Sequence, residues 1–376
     1  MADHAAHTQH MSEVRRERYE SVIQSLHKLA KYIDNPKSQE VAVNAPGVVQ
    51  TWESGTWVEH VDAAIDFDYL DGLGTNVAGF LGVQFDVTHP VFSGELPTGE
   101  RVQFIRPPAS PHGEIYINIR SHVVDAFPFA KYHEQGYFKD TRHVYSLTMT
   151  DKEREALKVH LEPEELELWE LAQKKDWLNF YPLAVLHYQS MVTAGSTGSG
   201  KTTFSRSLME LIDPRERFST LQDARETPMP NHHNRQDLAF IKGDMHELDA
   251  QGNQRKRPGM SAKEGLEASM RSTPTRIHIN ELRGDETMYY LSGVLSSGHP
   301  GGITTSHANS PKDCFVRLAL LIKQSEEGRS IELEAIKLML YQSINIIGHL
   351  KFDKIQKRRV MTAIYYDPFY RMSLLG

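Results

Sequence analysis

Apolar and polar residues alternate with a period of two through much of the first third of the chain, the pattern of strands with one buried face. In EVAVNAPGVVQTW (40–52), Val41 and Val43 share a face, Asn44-Ala45-Pro46-Gly47 supplies turn chemistry, and apolar residues then resume; the segment predicts a hairpin. GERVQFIRPP (99–108) and EIYINIR (114–120) repeat the period, with Ile115, Ile117 and Ile119 on one face and Tyr116, Asn118 and Arg120 on the other. Arg101 and Arg120 therefore belong to strands. From Thr150 to Lys175 the period becomes helical and the charge dense. Glu165 and Glu167 are read there as solvated carboxylates favoured early in a helix, not as catalytic groups. Beyond about residue 165, short apolar runs alternate with amphipathic segments, which predicts an α/β layered fold with a mostly parallel sheet. The chain is thus expected to comprise a flexible tail (1–20), a smaller α+β domain (21–148), a linker (149–165) and an α/β domain (166–376).

Composition changes this picture only by exclusion. With 376 residues, 39% hydrophobic and 24% charged, the chain has the make-up of a globular protein of two or three domains. No stretch approaches the ~18 uninterrupted apolar residues of a membrane span. MADHAAHTQHMSEVRRERYE lacks the apolar core of a secretory signal, so a cytoplasmic location is expected. His4, His7 and His10 in that segment read as a polar tail, since nothing nearby supplies a frame for a metal. One cysteine, Cys314, excludes an internal disulfide and a multi-cysteine metal site, and is read as a small buried apolar residue. A net charge of −7 gives no overall footprint for nucleic acid. Arg255-Lys256-Arg257 and Lys357-Arg358-Arg359 are compact basic clusters, read as solvated turns.

The chemistry concentrates at GSTGSGKTT (195–203). SMVTA precedes it as a short strand, and TTFSRSLMELI follows as a helix with Phe204, Leu208, Leu211 and Ile212 on one face. Strand, glycine loop and helix are the context in which G-x-x-x-x-G-K-[ST] cradles phosphates. Gly195, Ser196, Thr197, Gly198, Ser199, Gly200, Lys201, Thr202 and Thr203 are accordingly the candidate nucleotide-binding residues. Backbone amides and the helix N-terminus would hold the phosphates, Lys201 would meet the β and γ phosphates, and Thr202 would ligate Mg²⁺.

LQDARE (221–226), INELRGDE (279–286) and SGHPGGITTSHANS (297–310) follow in the order and with about the separations of the acidic box, second nucleotide motif and histidine box of secretion ATPases. The chain resembles the hexameric traffic ATPases of type IV secretion and conjugation systems, the VirB-eleven-like group. VNAPG with Trp57, HPVFSGELPTGERVQFIRPP and INIR extend that resemblance into the N-terminal part. Type II secretion and type IV pilus ATPases share the nucleotide motifs but not this N-terminal pattern. The resemblance implies a RecA-like ATPase domain behind a smaller α+β domain, ATP and Mg²⁺ as cofactors, and a homohexamer. It further implies peripheral association with inner-membrane components of a secretion apparatus and a protein or nucleoprotein substrate. By residue, it implies that Glu281 polarises the attacking water, that Asp223 and Glu226 meet Mg²⁺ directly or through water, and that His307 lies near the γ phosphate. Arg101, Arg120 and Arg271 resemble arginines that contact the nucleotide. His299 either belongs to the histidine box or shapes the turn before Pro300.

The chain also departs from the pattern. Gln222 stands where the acidic box begins with glutamate, Asn280 replaces the glycine before Glu281, and Thr273 and Thr275 replace charged residues around Pro274. Because Lys201, Thr202, Asp223, Glu226, Glu281 and His307 all remain, these departures are read as variation within a working enzyme. Other readings stay open: an ATP-binding ring subunit with little turnover, a type II secretion or type IV pilus-like ATPase, and a nucleic-acid translocase on the same core.

Overall fold

The computed structural model describes residues 13–53, 56–120, 127–223, 226–227, 229, 231–240, 246–248, 254–256, 259–353 and 355–374. His4, His7, His10 and Arg257 lie outside them. The chain forms two compact units, residues 1–124 and 125–376.

The first unit is built on a six-stranded antiparallel sheet. Its strands are β1 (Ser38–Ala45), β2 (Val48–Glu53), β3 (Thr56–Val61), β4 (Val91–Glu95), β5 (Arg101–Ile105) and β6 (Tyr116–Arg120), in the order β3-β2-β1-β6-β5-β4. The expected hairpin is β1-β2, turning at Pro46-Gly47 with Gly47 at φ +81°. Val41, Val43, Ile115, Ile117 and Ile119 are all fully buried, so the alternation reports one covered face. That cover includes the helix Phe67–Leu81, whose N-cap Asp66 accepts from the Tyr69 N–H at 2.8 Å. The segment expected as tail is already helical from Glu13, in Glu13–Ser25, with Tyr19 and Val22 buried.

The second unit opens earlier than the sequence suggests. Strand β7 (Arg142–Val144) pairs in parallel with β16 (Arg358–Tyr366), and Phe129, Tyr132 and Phe138 are buried in the same core as Phe204 and Tyr181. The unit boundary therefore falls at 124/125, not near 148. The helical period over 150–175 resolves into two helices: Asp151–Leu157 ends in a short 3₁₀ turn, and Pro163–Lys174 starts behind Glu162, whose N–H donates to the Glu165 carboxylate at 3.2 Å. Glu165 also pairs with Arg371, so its role is structural.

Two mostly parallel sheets follow. One is β14 (Ile303–Ser306), β8 (Met191–Gly195), β15 (Ile346–Asp353), β16 and β7; the other is β10 (Arg235–Ala239), β9 (Phe218–Gln222) and β13 (Arg276–Ile279). Only β15-β16 is antiparallel in these two sheets. Two short strands, β11 (His246–Leu248) and β12 (Gln254–Lys256), pair antiparallel, and β12 carries Arg255 and Lys256. Neighbouring residues enter opposite cores, Met191 and Ile346 on one face, Val192 and Ile347 on the other. Covering both faces is what turns the strands into continuous apolar runs. Side chains join β13 to β14: the Thr305 Oγ1–H donates to the Asn280 carbonyl at 2.9 Å, and the Ile303 N–H donates to His278 Nδ1 at 3.0 Å. Cys314 is buried, as expected, and burial pushes its thiol up to about 12. Among the described residues no helix is long and apolar enough to cross a membrane.

Candidate nucleotide site

The parallel strands β8, β9, β13 and β14 end together, and their C-terminal ends carry the loop 195–200, Gln222, Glu281 and His307 respectively. Strand β8 runs into the loop, and the helix Lys201–Met209 leaves it. The first N–H groups of that helix have no intrahelical acceptor, which suits them to an anion. Two glycines are required by shape. A Cβ on Gly195 would stand 2.4 Å from the Leu350 carbonyl oxygen of β15, and Gly198 sits at φ +76°. Phe204, Leu208 and Ile212 are buried as expected, but Leu211 is not, because the helix ends at Met209. Ser196, Thr197 and Gly198 are exposed on the loop, while Ser199 is buried with its hydroxyl donating to the Ser196 carbonyl at 2.8 Å. Thr202 and Thr203 are half-buried in the first helical turn.

Lys201 is buried and turned back over the loop. Its Nζ donates to the carbonyls of Gly195 at 3.0 Å and Ser196 at 3.1 Å, and lies 3.5 Å from His307 Nδ1. The other ring nitrogen, Nε2, stands 3.0 Å from Glu281 Oε1. Burial pulls His307 below its ordinary value, helped by the cations Lys201, Arg283 and Arg317 against the opposing carboxylate of Glu281. Glu281 itself is held asymmetrically. Its Oε2 accepts from the Arg283 guanidinium, while Oε1, approached by the imidazole off the line of a hydrogen bond, is buried with no hydrogen-bond donor among the described residues. Arg283 also lies 3.9 Å from Asp223.

Glu226 is the second focus. Its Oε2 accepts from the Thr202 hydroxyl at 3.3 Å and from Asn280 Nδ2 at 3.1 Å. The site thus gathers Lys201, Thr202, Asp223, Glu226, Glu281 and His307. Sequence reasoning missed two further members. Arg283 lies inside the quoted second motif without an assigned part. Arg359, read as a solvated turn residue, is the second residue of β16 and donates from Nε to the Gly198 carbonyl at 3.2 Å.

Other candidates stand elsewhere. Arg271 follows the last turn of the helix Ala262–Met270 and precedes β13, at the N-terminal ends of the strands. Within one chain it is not brought to the loop, because a parallel strand separates what enters it from what leaves it. His299 lies at the same end and bonds through Nδ1 to the Pro274 carbonyl at 2.9 Å, shaping the turn. Arg101 and Arg120 belong to the first unit, where they are direct cross-strand neighbours on β5 and β6. They form the middle of a row across four strands, Glu95, Arg101, Arg120 and Glu40. Adjacent like charges in a sheet are unfavourable, and here Glu95 and Glu40 flank the arginine pair on the neighbouring strands.

The type II/IV secretion system protein family matches residues 156–351. The type IV secretion system protein VirB11 of Brucella abortus is 33% identical over 350 residues, covering 93% of this chain and 91% of its own. The type IV secretion system protein PtlH of Bordetella pertussis is 30% identical over 363 residues, covering 95% and 98%. The crystal structure of the VirB11 ATPase from the Brucella suis type IV secretion system, in complex with sulphate, superposes with a TM-score of 0.51 at 33% identity, covering 97% and 99%. With kinship along nearly its whole length and the loop, acidic and histidine residues gathered at one end of its sheets, the chain belongs to the VirB11-like branch of the type II/IV secretion system protein family.

Proposed function

We propose that the chain is the ATP-hydrolysing motor of a type IV secretion or conjugation apparatus. One observation carries the chemistry: Glu281 has one oxygen anchored by Arg283 and the other buried without a donor among the described residues, beside the histidine that approaches Lys201. A carboxylate so held can accept a hydrogen bond from water and orient its attack on the γ phosphorus, while the bond to the β-phosphate oxygen breaks. Lys201 exchanges its two loop carbonyls for phosphate oxygens. His307, drawn toward the neutral form, can then report the occupied phosphate site to Glu281. Arg359 and the loop amides fix the loop itself.

The donors also fit Mg²⁺. Thr202 and Glu226 offer adjacent oxygens, the ligand type a hard divalent cation takes, with Asp223 nearby in sequence. Among the described residues no three His, Cys, Asp or Glu side chains gather into a metal site, so the protein would supply part of the ligand set and the phosphates and water the rest. Bound there, Mg²⁺ supplies charge neutralisation at the phosphate oxygens.

Six copies in a ring, peripheral docking on inner-membrane components at the cytoplasmic face, and a protein or nucleoprotein cargo complete the proposal; kinship supports them. The Arg101–Arg120 pair is read as a further phosphate contact, and Arg271 as an arginine that serves a neighbouring copy. The test is phosphate release by the purified chain, paired with mass measurement of the assembly with and without ATP. Nucleotide binding without turnover would leave a structural ring subunit in its place.

A further inference from the structure

Two departures from the family pattern, Gln222 and Asn280, converge on one carboxylate. Gln222 is buried at the end of β9; its Oε1 accepts from the N–H groups of Glu226 at 2.8 Å and Thr227 at 3.1 Å, and its Nε2 donates to Thr220 Oγ1 at 3.1 Å. Its amide is therefore oriented from both ends, and it fixes the backbone on which Glu226 stands. Asn280 is pinned by its own backbone: the N–H donates to the Leu221 carbonyl at 2.9 Å, and the carbonyl accepts from Thr305 Oγ1 at 2.9 Å. From that base Nδ2 donates to Glu226 Oε2 at 3.1 Å, the same oxygen that takes the Thr202 hydroxyl. Glycine at 280 has no group that reaches Glu226. Glutamate at 222 could accept the same two N–H groups, but would add a further negative charge beside Asp223 and Glu226.

We propose that Asn280 is a positioning residue for Glu226, forming with Gln222 a neutral amide cradle that sets this carboxylate against Thr202 before nucleotide and Mg²⁺ arrive. The inference rests on the ATP and Mg²⁺ reading above. The two departures are then one unit: Gln222 holds the backbone without added charge, and Asn280 supplies the donor that orients the side chain.

The experiment is titration of Mg²⁺ into the full-length protein with a fluorescent ADP, for the parent, Asn280→Ala, Asn280→Gly, Glu226→Ala and Glu226→Ala with Asn280→Ala. Losing a hydrogen bond to a charged group is expected to raise the half-saturating Mg²⁺ concentration about tenfold in both Asn280 variants. ADP affinity without Mg²⁺ should stay unchanged, a split that a general loss of packing would not give. In the Glu226→Ala background the Asn280 substitution should add nothing, because its partner is gone. An unchanged Mg²⁺ half-saturation in the single variants, or a shift that persists without Glu226, overturns the cradle. A parent that binds the ADP with no Mg²⁺ dependence overturns the Mg²⁺ reading itself, and the cradle with it.

Discussion

Glu281→Gln separates chemistry from binding, and the structure sets the size of each effect. The glutamine is isosteric, so its carbonyl can still accept from Arg283, but the second position now presents an NH₂ where Oε1 stood. Water that met an acceptor meets a donor, and it can be neither oriented nor relieved of its proton. Losing a positioned acid or base costs ~10²–10⁴ in rate, which is about 3–5 kcal/mol of barrier. The stability effect is far smaller. Arg283 and His307, the two groups facing Glu281, are each 42% exposed at the side chain, so weakening those pairs costs about 0–1 kcal/mol. For a unit of this size that moves the melting temperature by no more than ~4 °C. Nucleotide affinity rests on the loop and Lys201, so it should hold. The assay is phosphate release at saturating ATP, with fluorescent-nucleotide binding and a thermal melt on the same preparations. If the glutamine variant releases phosphate at a third or more of the parent rate with equal nucleotide occupancy, Glu281 does not orient the water, and Asp223 or Glu226 must.

Lys201→Ala removes the cation that now bonds to Gly195 and Ser196, so ATP affinity is expected to fall at least about tenfold and turnover to vanish; retained turnover in a phosphate-release assay refutes the loop assignment. Arg101→Glu replaces an unfavourable neighbour of Arg120 with a favourable one while losing its match to Glu95 on β4, so the melt should shift little while turnover drops; equal turnover would make the arginine pair a surface feature. His278 is fully buried, its Nδ1 accepts from the Ile303 N–H, and burial pulls it down to about 3. The unfolded chain therefore takes up this proton near pH 6.5 while the folded chain does not, so stability present above 6.5 is lost at roughly 1.4 kcal/mol per pH unit as pH falls toward 3. His278→Asn, which offers Oδ1 in place of Nδ1, should flatten that acid limb by about one proton in melts from pH 7 to 5; an unchanged slope refutes it. A chain beginning at residue 125 should fold and one beginning at 149 should not, by circular dichroism, since the second lacks β7 and the buried rings of Phe129, Tyr132 and Phe138, worth roughly 5–9 kcal/mol together.

What the sequence could reveal followed the range over which each constraint acts. The glycine loop was legible because its chemistry demands fixed residue types within nine consecutive positions, and the strand faces of β1 and β6 because their period is local. Arg359 was illegible for the opposite reason. It reaches Gly198 across 161 positions, and only the pairing of β15 between β8 and β16 brings it there; in sequence it is one of three basic residues in a turn. The same non-local pairing hid the true start of the second unit, since β7 gains its place only from β16. Arg271 and Glu281 show the complementary failure: ten positions apart, they lie at opposite ends of one parallel strand, and proximity in sequence meant separation in space.

Asn280 and Gln222 carry this one step further. Read singly, each is the loss of a family residue, and together they kept open a ring subunit with little turnover. In the folded chain they meet on Glu226, one through its backbone and one through its side chain. The sequence contained both substitutions but not their coupling, because β9 and β13 are adjacent only once the sheet exists. A departure from a motif is therefore evidence of lost function only after its partner has been sought, and here the partner stands at the end of the neighbouring strand.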